Sequence, residues 1–583
     1  MPTRSFPLLA ALALSHTALA QDGFVNWETP HVQPLALTPN RAALLAVNLP
    51  DNRLEVFALA SGTPVPVRSI PVGLDPVAVR ARTNVEAWVV NHVSDTISIV
   101  DLVVGQVVAT LATDDEPCDV VFAGTPQRAF VTCSQANTVL VFDPADRAAA
   151  PVRLALDGED PRALAVSPAG DKVYAAIFES SNQTTIIGSG GTAPGDFPPN
   201  AVGFTGGPYG GQNPPPNRGT SFDPAIAPGL PAPPGVGLIV RKSTGGQWLD
   251  DNGGDWTNFV SGNLAPFTGR LVGWTMGDHD VAVIDVATLS VGYLDHLMNL
   301  CMALAVNPAS GRVTVVGTEA TNEIRFEPNL RGRFLRVLAA LVDPAAPGSP
   351  TLVDANPHLD YASATVPQAQ RDQTLSDPRG IAWNAAGTRA YVSGMGTNNL
   401  VVLDANGARA GLAPTIEVGE GPTGLVLDEP RGQLYVLDKF EASISVVSLA
   451  TELETARVRF FDPTPPAIRA GREYLYDAHE TSGLGLTACA ACHIDARNDR
   501  LAWDLGDPTG EMKGLDGLNL GAGLPGIEGD FADFHPMKGP MVTQTLQGIV
   551  GNEPFHWRGD RLTLAEFNPF FESLLGDDEQ LDA

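Results

Sequence analysis

Cys489-Ala490-Ala491-Cys492-His493 is the stretch whose residue types and spacing most directly specify chemistry. Two thiols three positions apart share one helical turn, and a histidine follows at once. That C-x-x-C-H order marks covalent attachment of haem c. The thiols add to the porphyrin vinyl groups, and the adjacent imidazole supplies the proximal iron ligand, His493. Half of a zinc site is the competing reading. Zinc needs two further ligands at similar spacing, and no other cysteine lies nearby.

The flanks hold further candidates. Gly471 to Asp477 precedes the motif as an amphipathic helix would. Arg497 and Arg500 follow it and could neutralise haem propionates, a task suited to a fork of donors. Their alternative is surface pairing with Asp495, Asp499 or Asp504. For the sixth iron position the candidates are Met541, which is favoured, and Met537, His535 and His556. A Met ligand suits electron transfer, and an open position suits substrate chemistry. Of the five cysteines, Cys118 and Cys133 fall on neighbouring strands and are either a cross-strand disulfide or two buried thiols. Cys301 has no partner and reads as a small apolar residue.

The elements that must carry these residues repeat. Between residues 31 and 463 a pattern recurs at roughly 42 to 45 residues, the range of propeller blades. Each unit opens on a short apolar strand, as in Pro76-Val77-Ala78-Val79 and Pro378-Arg379-Gly380-Ile381. Its third strand alternates, as in Thr96-Ile97-Ser98-Ile99-Val100-Asp101. Seven units follow: 31–73, 74–115, 116–160, 161–298, 299–343, 376–420 and 421–463. Tyr391-Val392-Ser393-Gly394 and Ala129-Phe130-Val131-Thr132 occupy one strand position, where the sequence resembles the YVTN-type propeller family.

Insertions at 188–276 and 344–375 interrupt the repeat, and loops of this length are usually functional or disordered. Asp250-Asp251-Asn252-Gly253-Gly254-Asp255 in the first fits an acidic surface turn, with calcium as the alternative. His92, His279 and His358 each lie beside Asp residues; convergence would make a metal or acid-base site, and separate structural roles are the alternative.

Residues 1–20 read as a secretory signal peptide, with Arg4, an apolar Leu8–Leu14 run and Ala18-Leu19-Ala20 at the cleavage site. The expected location is periplasmic or secreted, without membrane insertion. A formal net charge of -30 repels phosphate backbones, so nucleic acid is excluded as a partner. A redox partner protein or a small-molecule substrate fits.

Lys538 to Leu546, followed by His556-Trp557-Arg558-Gly559-Asp560-Arg561, resembles the haem domains of bacterial di-haem cytochrome c peroxidases and their methylamine-maturation relatives. The resemblance covers about 471 to 575. Those enzymes carry two C-x-x-C-H motifs, one haem relaying electrons and one meeting peroxide, whereas this sequence has one. The whole chain also looks like bacterial proteins that join a YVTN propeller to such a haem domain. The expectation is an all-β seven-bladed propeller (31–463) followed by a mainly α cytochrome c-like domain (464–583). One covalent haem c would serve electron transfer or oxidoreductase chemistry, peroxidase-like in its sharper form. The alternative is a binding scaffold whose haem only senses redox state.

Overall fold

The structure is a computed structural model and describes residues 24–188, 201–212, 217, 222–514 and 533–576. The signal-peptide reading of 1–20 lies outside the described residues, as does part of the Gly/Pro-rich stretch beginning at 188.

Alternation in the sequence decides the packing. In the strand Glu86–Asn91, Trp88 and Val90 enter one core with Val131 and Leu140. Ala87 and Val89 between them enter another, with Val47 and Val56. A strand with a period of two therefore needs an apolar neighbour on each face. Among the described residues this is met by seven four-stranded antiparallel sheets, two of them joined by a single bridge between Glu179 and Leu300. Their first strands are Leu35–Leu37, Pro76–Ala81, Pro117–Ala123, Glu159–Val166, Leu300–Val306, Pro378–Trp383 and Pro422–Asp428. Each lies beside the next, and Pro422–Asp428 returns to Leu35–Leu37, closing a β-propeller. Leu35, Leu44 and Phe57 pack on Tyr435 and Ile444 across the closure.

Blade four is split: Lys172–Glu179 pairs with His279–Asp285, and the long insertion leaves between them. That insertion has its own three-stranded sheet and a small core around Trp248, Trp256 and Phe259. Blade five runs past the boundary expected at 343, because its outer strand is Thr351–Asp354, inside the second insertion. The blade also carries a loop at 321–334, with the short helix Glu327–Leu330, that the repeat pattern hid.

Two expectations are corrected. Cys118 and Cys133 are buried free thiols. A register shift between Val131 and Cys133 sets Cys133 opposite Pro117. Cys118 then joins the core containing Ala163, and Cys133 the one containing Val131. Adjacent positions on a ladder face opposite ways, so no disulfide forms.

The second correction concerns 464–583, whose described residues are not mainly helical. Their only helix longer than five residues, among those described, is Pro466–Tyr476. The rest are single turns and one two-stranded ladder, Ala502–Asp504 with Pro540–Val542. Left-handed backbone at Asp495, Ala496, Arg500 and His556 interrupts any longer helix.

Asp438 in blade seven is buried, and its Oδ2 accepts from Ser443 at 2.9 Å and Ser445 at 2.8 Å. Burial pushes its carboxyl up to about 8, and the two hydroxyls only partly oppose this. A folded value above the ordinary 3.8 favours the protonated form. The stabilisation is then complete below the ordinary value and is lost as pH rises through about 8. Asp438→Asn should reduce the fall in stability across that interval by at least about 1 kcal/mol. Thermal melts of both proteins from acid to alkaline pH check this, and equal slopes refute it.

Candidate functional site

The helix Pro466–Tyr476 begins with proline, whose fixed φ suits the first turn. It ends at Asp477, whose carboxylate then caps the next short helix by accepting from His479 N at 3.0 Å and Glu480 N at 3.2 Å. The chain crosses the end of the propeller where the first strands begin. There Cys489–Ala491 forms one helical turn, with the amides of Cys492 and His493 donating to Cys489 O at 3.3 and 3.0 Å. Both sulfurs thus leave the same turn, as the spacing requires.

Cys489, Cys492 and His493 line one pocket, open at its mouth. Trp503, Phe567, Phe570, Phe571 and Leu574 make its walls. Phe334 and Glu327 reach it from the blade-five loop, so the propeller builds part of the cavity. His493 donates from Nδ1 to Gln544 O at 2.7 Å, which leaves the Nε2 lone pair for a metal. Burial, reinforced by nearby His556, lowers the affinity of His493 for a proton despite the Gln544 bond. A neutral imidazole is the ligating form. Burial pushes the Cys489 thiol up to about 11 and that of Cys492 well above the ordinary range, the latter helped by Asp499.

Of the four residues weighed for the sixth position, the structure brings two to the pocket. Met541 reaches it from the strand Pro540–Val542. His556 reaches it from a left-handed turn (φ 68°) and donates from Nδ1 to Asp560 at 2.9 Å. The other two do not arrive. Met537 is buried elsewhere, and His535 accepts from Met537 N at 3.0 Å while donating to Pro231 O at 3.2 Å. Both of its ring nitrogens are spent.

The arginines expected at the propionates also stand elsewhere. Arg497 pairs with Glu116 at 3.2 Å and Arg500 with Glu179 at 3.1 Å, both propeller carboxylates. The cations that do line the pocket are Lys538 and Arg558. Burial depresses Lys538, against the pull of Glu327 and Asp560. Two thiols, a neutral imidazole and an apolar lining are the donor set a covalently held haem needs, and Lys538 and Arg558 share that lining with the carboxylates Glu327 and Asp560.

Asp495, two residues beyond His493 and expected only as a surface partner for Arg497 or Arg500, has a different place. It is buried, with Arg162 Nη1 at 3.0 Å and Arg379 Nη2 at 3.0 Å. These arginines come from the first strands of blades four and six and also hold Asp160 (2.6 Å) and Asp377 (2.5 Å). Burial alone would raise the Asp495 carboxyl, but Arg379, then Arg162 and Lys439, hold it below the ordinary carboxylate range. The signal was present as a repeated tripeptide, Asp160-Pro161-Arg162 and Asp377-Pro378-Arg379, at matching blade positions.

The remaining candidates have local roles. His92 donates to Pro117 O at 3.2 Å and faces Glu116 at 3.3 Å. His279 bonds Asp295 at 2.8 Å, and His358 bonds Gln370 O at 3.1 Å. The calcium reading of 250–255 is also set aside. Asp250 accepts from Asn252 N, Gly254 N, Tyr209 and Trp256, at 2.8 to 2.9 Å. Asp251 pairs with Arg325 at 2.7 Å. Among the described residues no group of three or more His, Cys, Asp or Glu is arranged for a bare metal ion, and no helix is long and apolar enough to cross a membrane.

No protein-family model matches the chain, and no curated protein matches it in sequence. Solved structures similar in shape include a Kuenenia stuttgartiensis hydrazine synthase chain, at 13% identity and a TM-score of 0.46, covering 74% of this chain and 99% of that one. Virginiamycin B lyase from Staphylococcus aureus is another, at 9% identity and a TM-score of 0.37, covering 71% and 94% respectively.

Phe334 of the propeller packs edge-on against Trp503 of the C-terminal segment, with centroids 5.4 Å apart. Phe334→Ala should cost about 3–5 kcal/mol and lower a single unfolding transition seen by both fluorescence and far-UV dichroism. Two transitions, with only the first shifted, would mean that the C-terminal segment unfolds independently.

Proposed function

We propose that this chain is an exported c-type haem protein of electron transfer or oxidoreductase chemistry, with its seven-bladed propeller as the platform for a redox partner or small-molecule substrate. The observation that carries the reading is the convergence of Cys489, Cys492, His493, His556 and Met541 on one apolar pocket. Bound haem would supply one-electron chemistry between ferrous and ferric iron. The chain's own residues do the rest. Cys489 and Cys492 tether, and His493 offers the nitrogen that Gln544 leaves available. The aromatic walls would cover the apolar faces of the bound group, with the mouth of the pocket left open. Lys538 and Arg558, which line the same pocket, would be the cations available to its propionates. The signal-peptide pattern at 1–20 supports a periplasmic or secreted location, and a net charge of -30 supports a basic redox partner.

A peroxide-consuming reaction is the sharper form and needs the sixth position open or weakly held. In a pyridine haemochrome assay, exported protein should carry one covalent haem, and Cys489→Ala with Cys492→Ala should abolish it. Colourless wild-type protein with both thiols titratable defeats the reading. His556→Ala and Met541→Ala decide the sixth ligand: the true one converts a low-spin spectrum to high-spin. If wild-type haem is already high-spin and turns over peroxide with a reductant, the peroxidase form stands. An inert haem that no donor reduces returns the chain to a binding scaffold.

A further inference from the structure

The carboxylate of Asp495 is connected to the iron-ligating histidine by a short series of bonds that begins in the propeller. Arg162 and Arg379 grip Asp495 from blades four and six. Arg162 is itself fixed, with its guanidinium 3.5 Å over the ring of Phe178 and paired to Asp160. Asp495 and the next residue, Ala496, both adopt left-handed backbone, at φ 53° and 57°. Non-glycine residues resist that conformation, so two in succession persist only where the surroundings impose it. Ile494 adds a second anchor by packing on Phe178, Leu300 and Met302.

The turn so held aims the carbonyl of Ala496 at Leu546, whose amide donates to it at 2.9 Å. Leu546 lies two residues after Gln544, the residue whose carbonyl receives the Nδ1 proton of His493. The propeller arginines thereby fix Asp495, which fixes the Ala496 turn, which fixes the carbonyl that sets the imidazole plane.

We propose that Arg162, Arg379 and Asp495 are positioning residues, through which the propeller sets the orientation of the His493 ring toward the iron. This rests on the haem reading above and goes beyond it, because it gives the propeller a role in the electronic character of the site. The arginines do not line the pocket; they act through Asp495.

The test uses electron paramagnetic resonance of the full-length, haem-loaded ferric protein, whose g values report the orientation of an axial imidazole plane. Covalent haem content is measured alongside. Arg379→Gln and Asp495→Asn, the latter preserving shape while removing charge, should keep one covalent haem per chain and shift the g values in the same sense. Arg379→Lys, which restores charge without the fork, should fall between Arg379→Gln and wild type. Should Arg379→Gln fail to fold, Asp495→Asn carries the comparison alone. The midpoint potential separates orientation from charge. Pure electrostatics would move it in opposite directions in Arg379→Gln and Asp495→Asn and leave the g values unchanged, and that result overturns the proposal. So does a lowered melting temperature with an unaltered spectrum. Wild-type protein without covalent haem removes both this inference and the haem reading, whereas loaded variants with native g values remove only this one.

Discussion

A single buried carboxylate ties the C-terminal segment to the axis of the propeller. Taking Asp495, Arg162 and Arg379 out of water is costly, and their mutual attraction repays this only in good geometry. The pattern here is close to balanced: Asp160, Asp377 and Asp495 against Arg162, Arg379 and the nearby Lys439. Such an arrangement contributes less to stability than to uniqueness. Apolar packing tolerates a slipped or rotated segment, whereas a displaced Asp495 would leave two buried guanidinium groups uncompensated, a penalty of about 3–5 kcal/mol for a broken buried pair. The ions therefore specify one register for the C-x-x-C-H turn over the ring. Arg497 with Glu116 and Arg500 with Glu179 extend the same logic toward solvent, where each pair is weaker, while Arg472 with Glu28 adds a further largely buried pair.

Apolar contacts follow the register that the charges define. Leu484 and Leu486 enter the core shared by blades five and six. Ala490 joins Met395, Phe440 and Tyr476, and Trp503 joins Ala320, Leu330 and Phe334, with Cys492 packed against them. No buried core cluster among the described residues belongs to the C-terminal segment alone; of the Phe555, Phe567 and Phe570 rings that meet within it, only Phe555 is buried. The segment's turns leave it short of long helices that could pack on one another. It borrows the propeller as the missing half of its core, which is why the pocket has one wall from blade five.

How much of this was legible follows from range. The attachment motif is local, five consecutive residues, and the sequence displays it in full. The blades are legible because strand period and blade period both repeat. The sequence leaves a disulfide and two buried thiols both open at Cys118 and Cys133, because the bulge that sets the facing of Cys133 leaves little trace in composition. The helical character of 464–583 was inferred from resemblance, and the left-handed residues that defeat it are ordinary Asp, Ala, Arg and His in the text. Arg497 and Arg500 were placed by proximity in sequence to the motif, but their partners are Glu116 and Glu179, more than 300 residues away. The Asp-Pro-Arg repeat was on the page, yet its meaning depends on two non-adjacent blades meeting one carboxylate, which no periodicity announces.

The two remaining claimants for the iron differ in how they are held, and the difference bears on what the site can do. Met541 sits on a strand paired with Trp503, whose indole donates to Asp499 at 2.9 Å and packs on Phe334. That places it on the composite core, and moving it would disturb the joint between segment and propeller. His556 sits on a left-handed turn, held by Asp560 and flanked by Phe567 and Phe570, with no strand beneath it. A ligand on the core gives a fixed coordination sphere, suited to electrons that come and go without rearrangement. A ligand on a turn can withdraw at the cost of one carboxylate bond and some ring contacts, suited to a site that must open for a substrate. On the proposed haem reading, transfer and substrate chemistry would correspond to two named residues on two kinds of backbone.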